Sequence, residues 1–154
     1  MADPISFASS TPRHSLPLLF QGQAQKEFFV NEALSLLDAL VNPTVEGVAD
    51  APPLGSVEGE SWIVSTNPAG EWAGHADKLA IFIAGSWKFA VPQVGMQVFD
   101  SSVFQMRVFS GSWNAANTPV IPQGGTTIDV EARQSIADIV TALRQGGILP
   151  PTAP

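Results

Sequence analysis

The sequence predicts an α+β fold with a long N-terminal helix, a small antiparallel β domain of repeated hairpins, and a C-terminal helix. Three observations predict it. From Gln23 to Leu40 no Gly or Pro interrupts a run of strong helix formers. From Trp62 to Trp113 apolar residues alternate, and Gly-Ser pairs separate the runs. From Asp129 to Gly146 apolar residues return at helical spacing behind a capping residue.

The N-terminal stretch holds Pro4, Pro12 and Pro17 among several Ser and Thr, and reads as an extended arm over residues 1–22. Leu16, Leu18, Leu19 and Phe20 are too apolar to stay in water, so the arm packs on its own domain or on a neighbouring subunit. The first helix follows. Val30, Leu34, Leu37 and Val41 recur at helical spacing, and Phe29, Ala33, Leu36 and Leu40 recur one residue out of phase. Two adjacent stripes make a wide apolar face, and this predicts a helix covered on most of its surface. Lys26, Glu27, Asn31, Glu32, Ser35 and Asp38 form the narrow polar remainder. Asn42-Pro43 ends the helix, which at 1.5 Å per residue spans about 27 Å.

Residues 42–60 read as a loop, with Asp50-Ala51-Pro52-Pro53-Leu54-Gly55 at its centre. Trp62-Ile63-Val64 is a short strand. Leu79, Ile81 and Ile83 alternate with Ala80 and Phe82; Trp87, Phe89 and Val91 alternate with Lys88 and Ala90. Gly85-Ser86 between them predicts a type II′ turn with Gly at the first central position. Val108-Phe109-Ser110-Gly111-Ser112-Trp113 repeats the pattern of Phe82-Ile83-Ala84-Gly85-Ser86-Trp87, and Met96 to Phe99 supply the strand between. The segment 23–113 is thus one helix-plus-β domain. A linker with Pro119, Pro122 and Gly124-Gly125 covers 114–128. In the last segment, 129–154, Asp129 caps a helix whose stripe is Ala132, Ile136, Ile139 and Leu143, with Val140 beside it. Gly146-Gly147 ends that helix. Its stripe must be buried on its own domain or on a symmetry mate.

Composition narrows the function. Charged residues are only 14% of the chain, about half the usual share, which favours a surface covered by neighbours. A net charge of −7 gives no basic face for nucleic acid and no polybasic segment for a membrane. Cys is absent, so no disulfide, thiol nucleophile or thiolate metal site is expected. No apolar core follows a basic start in residues 1–15, so no signal peptide is expected, and no run is long enough to span a bilayer.

Several motifs, in order, carry a resemblance. They are Pro17-Leu18-Leu19, Gln23-Ala24-Gln25-Lys26, Asn31-Glu32-Ala33-Leu34 and Leu37-Asp38-Ala39-Leu40-Val41. Gly59-Glu60-Ser61-Trp62-Ile63-Val64, Gly70-Glu71-Trp72-Ala73-Gly74-His75-Ala76-Asp77, Gly85-Ser86-Trp87-Lys88-Phe89 and Pro92-Gln93-Val94-Gly95-Met96 continue it. The set resembles a family of uncharacterised alphaproteobacterial prophage proteins, with members in gene transfer agents, the phage-like particles that move host DNA. The chain departs from the family pattern at Glu27-Phe28-Phe29, where a basic residue or His usually follows the Gln-Lys pair. The resemblance implies a virion accessory protein, a head spike base or tail fibre component. Such a protein is assembled in the cytoplasm and displayed on the particle surface. Its implied partners are copies of itself (a pentamer at a fivefold vertex rather than a fibre-like trimer), a capsid protein and a spike fibre protein. Leu16, Leu18, Leu19, Phe20, Ile136, Ile139, Val140 and Leu143 are then the interface candidates.

Two other functions are weighed. Trp72, Trp87 and Trp113 lie near hairpin turns, where exposed rings would stack on a host polysaccharide; otherwise they are core. Glu58, Glu60, Glu71, Asp77 and Asp100 offer carboxylates for glycan cleavage, but no spacing pairs them. His75 beside Asp77 lacks a nucleophile and further metal ligands, so we expect no catalytic residue, no metal and no cofactor.

Overall fold

A computed structural model of the chain describes residues 9–22, 26–120, 122, 124–126 and 128–152. Among the described residues it is α+β, with two α-helices, eight short strands and a single 3-10 turn. Residues divide into two compact units, 1–92 and 93–154.

In the first unit, α1 is Lys26–Leu40 and is followed by β1 (Thr44–Val45), β2 (Val48–Ala49), β3 (Ser61–Val64), the 3-10 turn Gly70–Trp72, β4 (Leu79–Ile83) and β5 (Ser86–Ala90). At 15 residues, or about 23 Å, α1 is short rather than the long helix expected. The expected first residues, Gln23 to Gln25, lie outside the described ones. The strands order as β2-β3-β4-β5. β3, β4 and β5 are antiparallel, but β2 runs parallel to β3, with Val48 opposite Ile63 and Ala49 opposite Val64. The sheet is therefore mixed, and the stretch expected to be loop contributes strands. At two residues each, β1 and β2 are too short for alternation to reveal.

β4 lies between two partners and is buried on both faces. Ile81 and Ile83 pack with Ala39 and Leu36 of α1, while Ala80 on the opposite face packs with Val64, Trp72, Trp62, Trp87 and Phe89. This is why the strand reads as nearly continuous apolar sequence. The β4–β5 turn differs from the expected one. Ile83 pairs with Ser86, so the loop is Ala84-Gly85, and both residues take positive φ, 51° and 72°. That is a type I′ turn, not type II′. The Glu58 carboxylate holds it, accepting from the N–H groups of Ala84 (2.9 Å) and Gly85 (2.8 Å).

In the second unit, β6 (Gln97–Asp100), β7 (Gln105–Phe109) and β8 (Trp113–Ala115) form an antiparallel meander followed by α2, Val130–Gln145. Phe109 pairs with Trp113 across a three-residue loop, so the repeated Gly-Ser-Trp string adopts a different register from the first hairpin. Asp129 caps α2 as predicted, its side chain accepting from the Ala132 N–H at 2.9 Å. The chain leaves α2 through Gly147 at φ 69°, and the Ile148 N–H returns to the Leu143 carbonyl. Gln105 and the Met106 N–H then hold the carbonyls of Ile148 and Gly147.

Candidate functional site

The described part of the arm is folded onto its own unit. Residues 9–18 double back through the bridge Ser10–Pro17 and a tight turn at Pro12 to Ser15. Into that turn projects Asp38 of α1, which is 1% exposed and accepts from the N–H groups of Arg13 (2.9 Å) and His14 (2.7 Å). Burial pushes its pKa up, but hydrogen bonds from Thr11, Arg13 and His14 outweigh that and hold the carboxyl below its ordinary value. The Arg13 side chain continues inward. Its guanidinium donates to the carbonyls of Gly59 (2.9 Å) and Thr44 (3.0 Å) and to Ser61 Oγ (2.8 Å). Burial lowers its pKa, and Asp38 and Glu46 oppose that shift. The sequence places Asp38 in the narrow polar remainder of the helix, with no partner indicated. In the structure its partners are backbone amides of a turn some 24 residues earlier in the chain, for which no motif signals.

Other polar groups of α1 also serve its own unit, alongside Leu36 and Ala39, which pack on β4. Glu27 accepts from the Gly22 N–H, Asn31 exchanges hydrogen bonds with both backbone groups of Leu19, and Glu32 lies 3.7 Å from Lys88 of β5. Asp38 and Ala39 are the buried residues of the helix. One apolar face points outward, with Phe29 75%, Leu37 52% and Val41 68% exposed and Val30 exposed beside them. The expected coverage of most of the helix is therefore wrong for this face. A surface helix ordinarily turns its charges to water and its stripe to the core.

The sequence-predicted interface residues fall as follows. Leu16, Leu18 and Leu19 are half-buried on their own unit, and Phe20 is exposed. In the second unit Val140 is buried and Leu143 half-buried, whereas Ile136 and Ile139 are exposed. Only the C-terminal part of α2 is packed down, and the rest of its stripe is bare.

The tryptophans are differently placed from a sugar-binding face. Trp72 is fully buried, with its ring edge-on to Trp87 at 5.0 Å, and so offers no face to a sugar. Trp87 is half-buried and also meets Phe82 at 5.1 Å, and Trp113, likewise half-buried, meets Phe109 at 5.2 Å. Trp72 and Trp87 belong to the first unit and Trp113 to the second.

Three of the five candidate acids are engaged within their own unit. Glu58 clamps the β4–β5 turn, Glu60 accepts from Trp62 Nε1 at 2.6 Å, and buried Asp100 pairs with Arg107 at 2.6 Å. His75 stacks on Phe89 with ring centroids 3.6 Å apart, and Lys78 Nζ approaches its Nδ1 at 3.2 Å. Among the described residues no group of three or more His, Cys, Asp or Glu is arranged to hold a metal, and no helix is long and apolar enough to cross a membrane.

Residues 30–114 match the model of a family described as a protein of unknown function, DUF2793. The chain belongs to this family. No curated protein matches it. The family stretch runs from Val30 on the outward face of α1 to Asn114 of β8 and stops before α2.

Proposed function

We propose that the protein is a structural subunit of a phage-like particle that associates with its own copies through outward apolar helix faces. The observation that carries this reading is the outward apolar face of α1. Its carboxylates at Glu27, Glu32 and Asp38 serve its own unit, and Phe29, Val30, Leu37 and Val41 face water. Several hundred Å² of contiguous apolar surface is about the most a monomer ordinarily leaves bare. A second copy suits that face. Two chains of net charge −7 repel broadly, and an uncharged stripe lets them approach without bringing acids together. The exposed Ile136 and Ile139, in the 4-3-4 spacing Ala132-Ile136-Ile139-Leu143, support the same reading independently.

The particle setting comes from the motif resemblance. On that reading the subunit is a head spike base joining the capsid to a distal fibre, five copies at a vertex, with a trimeric fibre component as the variant arrangement. Leu37→Glu tests it in particles. The side chain is half-exposed, so the unit should stay folded with its melting temperature nearly unchanged, while incorporation into particles falls sharply. Normal incorporation of a folded Leu37→Glu chain would defeat the proposal.

A further inference from the structure

β5 is the edge of the first unit's sheet, and half of its backbone hydrogen-bonding groups point away from β4. The phase follows from the register. Phe82 turns its N–H and C=O toward β3's side, to the Glu60 carbonyl and the Gly59 N–H, both at 2.9 Å. Trp87, opposite Phe82, and Phe89, opposite Ala80, therefore direct theirs outward. These outward amides lie about 6.8 Å apart, the two-residue repeat of an extended strand.

Beside this edge runs a groove of about 650 Å³, walled by Phe28, Asn31 and Ser35 of α1 and by Ile83, Ser86 and Lys88 of the hairpin. Ser86 and Lys88 alternate with Trp87 and Phe89, so the groove lies under every second position of any strand added to β5. The wall is apolar at Phe28 and Ile83 and small at Ser35 and Ser86. Two carboxylates, Glu27 and Glu32, line it against one ammonium, Lys88, so its charge is net negative.

We infer that the β5 edge and this groove accept an extended, neutral or basic segment of a different protein by strand addition. Backbone pairing at Trp87 and Phe89 supplies affinity, and an aliphatic residue at alternate positions enters the groove beside Phe28. A second copy is a poor occupant. The chain's own apolar extended segment, Leu16 to Phe20, is tied to α1 through Leu19 and Asn31, and the chain is acidic. The site is separate from the outward face of α1 and stands whether or not that face assembles copies.

Hydrogen exchange on the full chain, read amide by amide, tests this. The probes are blocked heptapeptides of alternating Val and Thr, ended by Lys or by Glu. In the free protein the Trp87 and Phe89 amides should exchange fast, and those of Ser86 and Lys88, paired with β4, slowly. The Lys-ended peptide should slow Trp87 and Phe89 by about tenfold or more and bind about tenfold tighter than the Glu-ended one. Ser35→Trp, filling the groove, should abolish binding, and Ser35→Ala should retain it. The inference is overturned if neither peptide protects these two amides, if the Glu-ended peptide binds as well, or if folded Ser35→Trp binds undiminished.

Discussion

Asp38→Ala should cost the first unit about 3–5 kcal/mol, the range for removing one partner from a buried charged contact. The number follows from what the carboxylate holds. It is 1% exposed and accepts from the Arg13 and His14 N–H groups at 2.9 and 2.7 Å. Each hydrogen bond to a charged acceptor contributes about 1.5–3 kcal/mol, and the bonds are not additive. Each turn amide left buried without an acceptor costs about 1–3 kcal/mol. The turn also delivers Arg13, whose guanidinium ties Gly59, Thr44 and Ser61 together, so loosening it weakens the arm, α1 and β3 at once. Urea unfolding followed by Trp fluorescence is the assay, since Trp62, Trp72 and Trp87 all report on this unit. Asp38→Asn, which keeps one acceptor oxygen, should lose less than Asp38→Ala. A loss below about 1 kcal/mol for Asp38→Ala, with an unchanged denaturant slope, would refute the assignment of the turn's order to this carboxylate.

Three further outcomes are expected. The folded pKa of Asp38 is depressed, so its contribution is present above the unfolded carboxyl value of about 3.9 and is lost as pH falls through the lower folded value. Acid titration of stability should therefore show a limb in that window that Asp38→Asn flattens. Ala84 holds φ 51° in a turn that favours Asn-Gly, so Ala84→Asn should stabilise by about 1 kcal/mol; thermal melting checks it, and destabilisation would contradict the type I′ assignment. Asp129→Ala removes the acceptor of the Ala132 N–H and should cost α2 about 1 kcal/mol, read as lost protection in the first turn of that helix by hydrogen exchange.

Much of the fold was legible because its signals are local. Asp129 and the glycines after Gln145 bound α2 by capping chemistry that involves only near neighbours. The strands β3, β4, β5 and β6 follow from short apolar runs, from alternation and from the Gly-bearing turn between β4 and β5. The turn type was misread because the rule placing Gly first overlooks that Ala84 also adopts positive φ, with its amide held by Glu58 from 26 residues away.

The candidate site was less legible for a physical reason. Periodicity shows which residues of α1 share a stripe but not which stripe turns inward. Its two overlapping stripes make either choice consistent with the sequence. The decision rests with Asp38, Asn31 and Glu32, whose partners are an arm turn, the Leu19 backbone and Lys88. Those contacts, with Ala39 and Leu36 packed on β4, accompany an outward face that holds Phe29 and Leu37. Trp72 illustrates the converse: its place two residues after a Gly left both an exposed turn position and the core open, and the 3-10 turn folds it into the core with Val64 and Ala80.

The most direct test of assembly through the outward face of α1 is the mass of the full chain in solution by light scattering, measured over a dilution series beside Leu37→Glu. The account predicts a discrete multiple of 16.2 kDa for the natural chain, five copies on the spike-base reading, and a shift to single chains for the variant. A mass of 16.2 kDa for the natural chain at every concentration, or an oligomer that Leu37→Glu leaves intact, would contradict it.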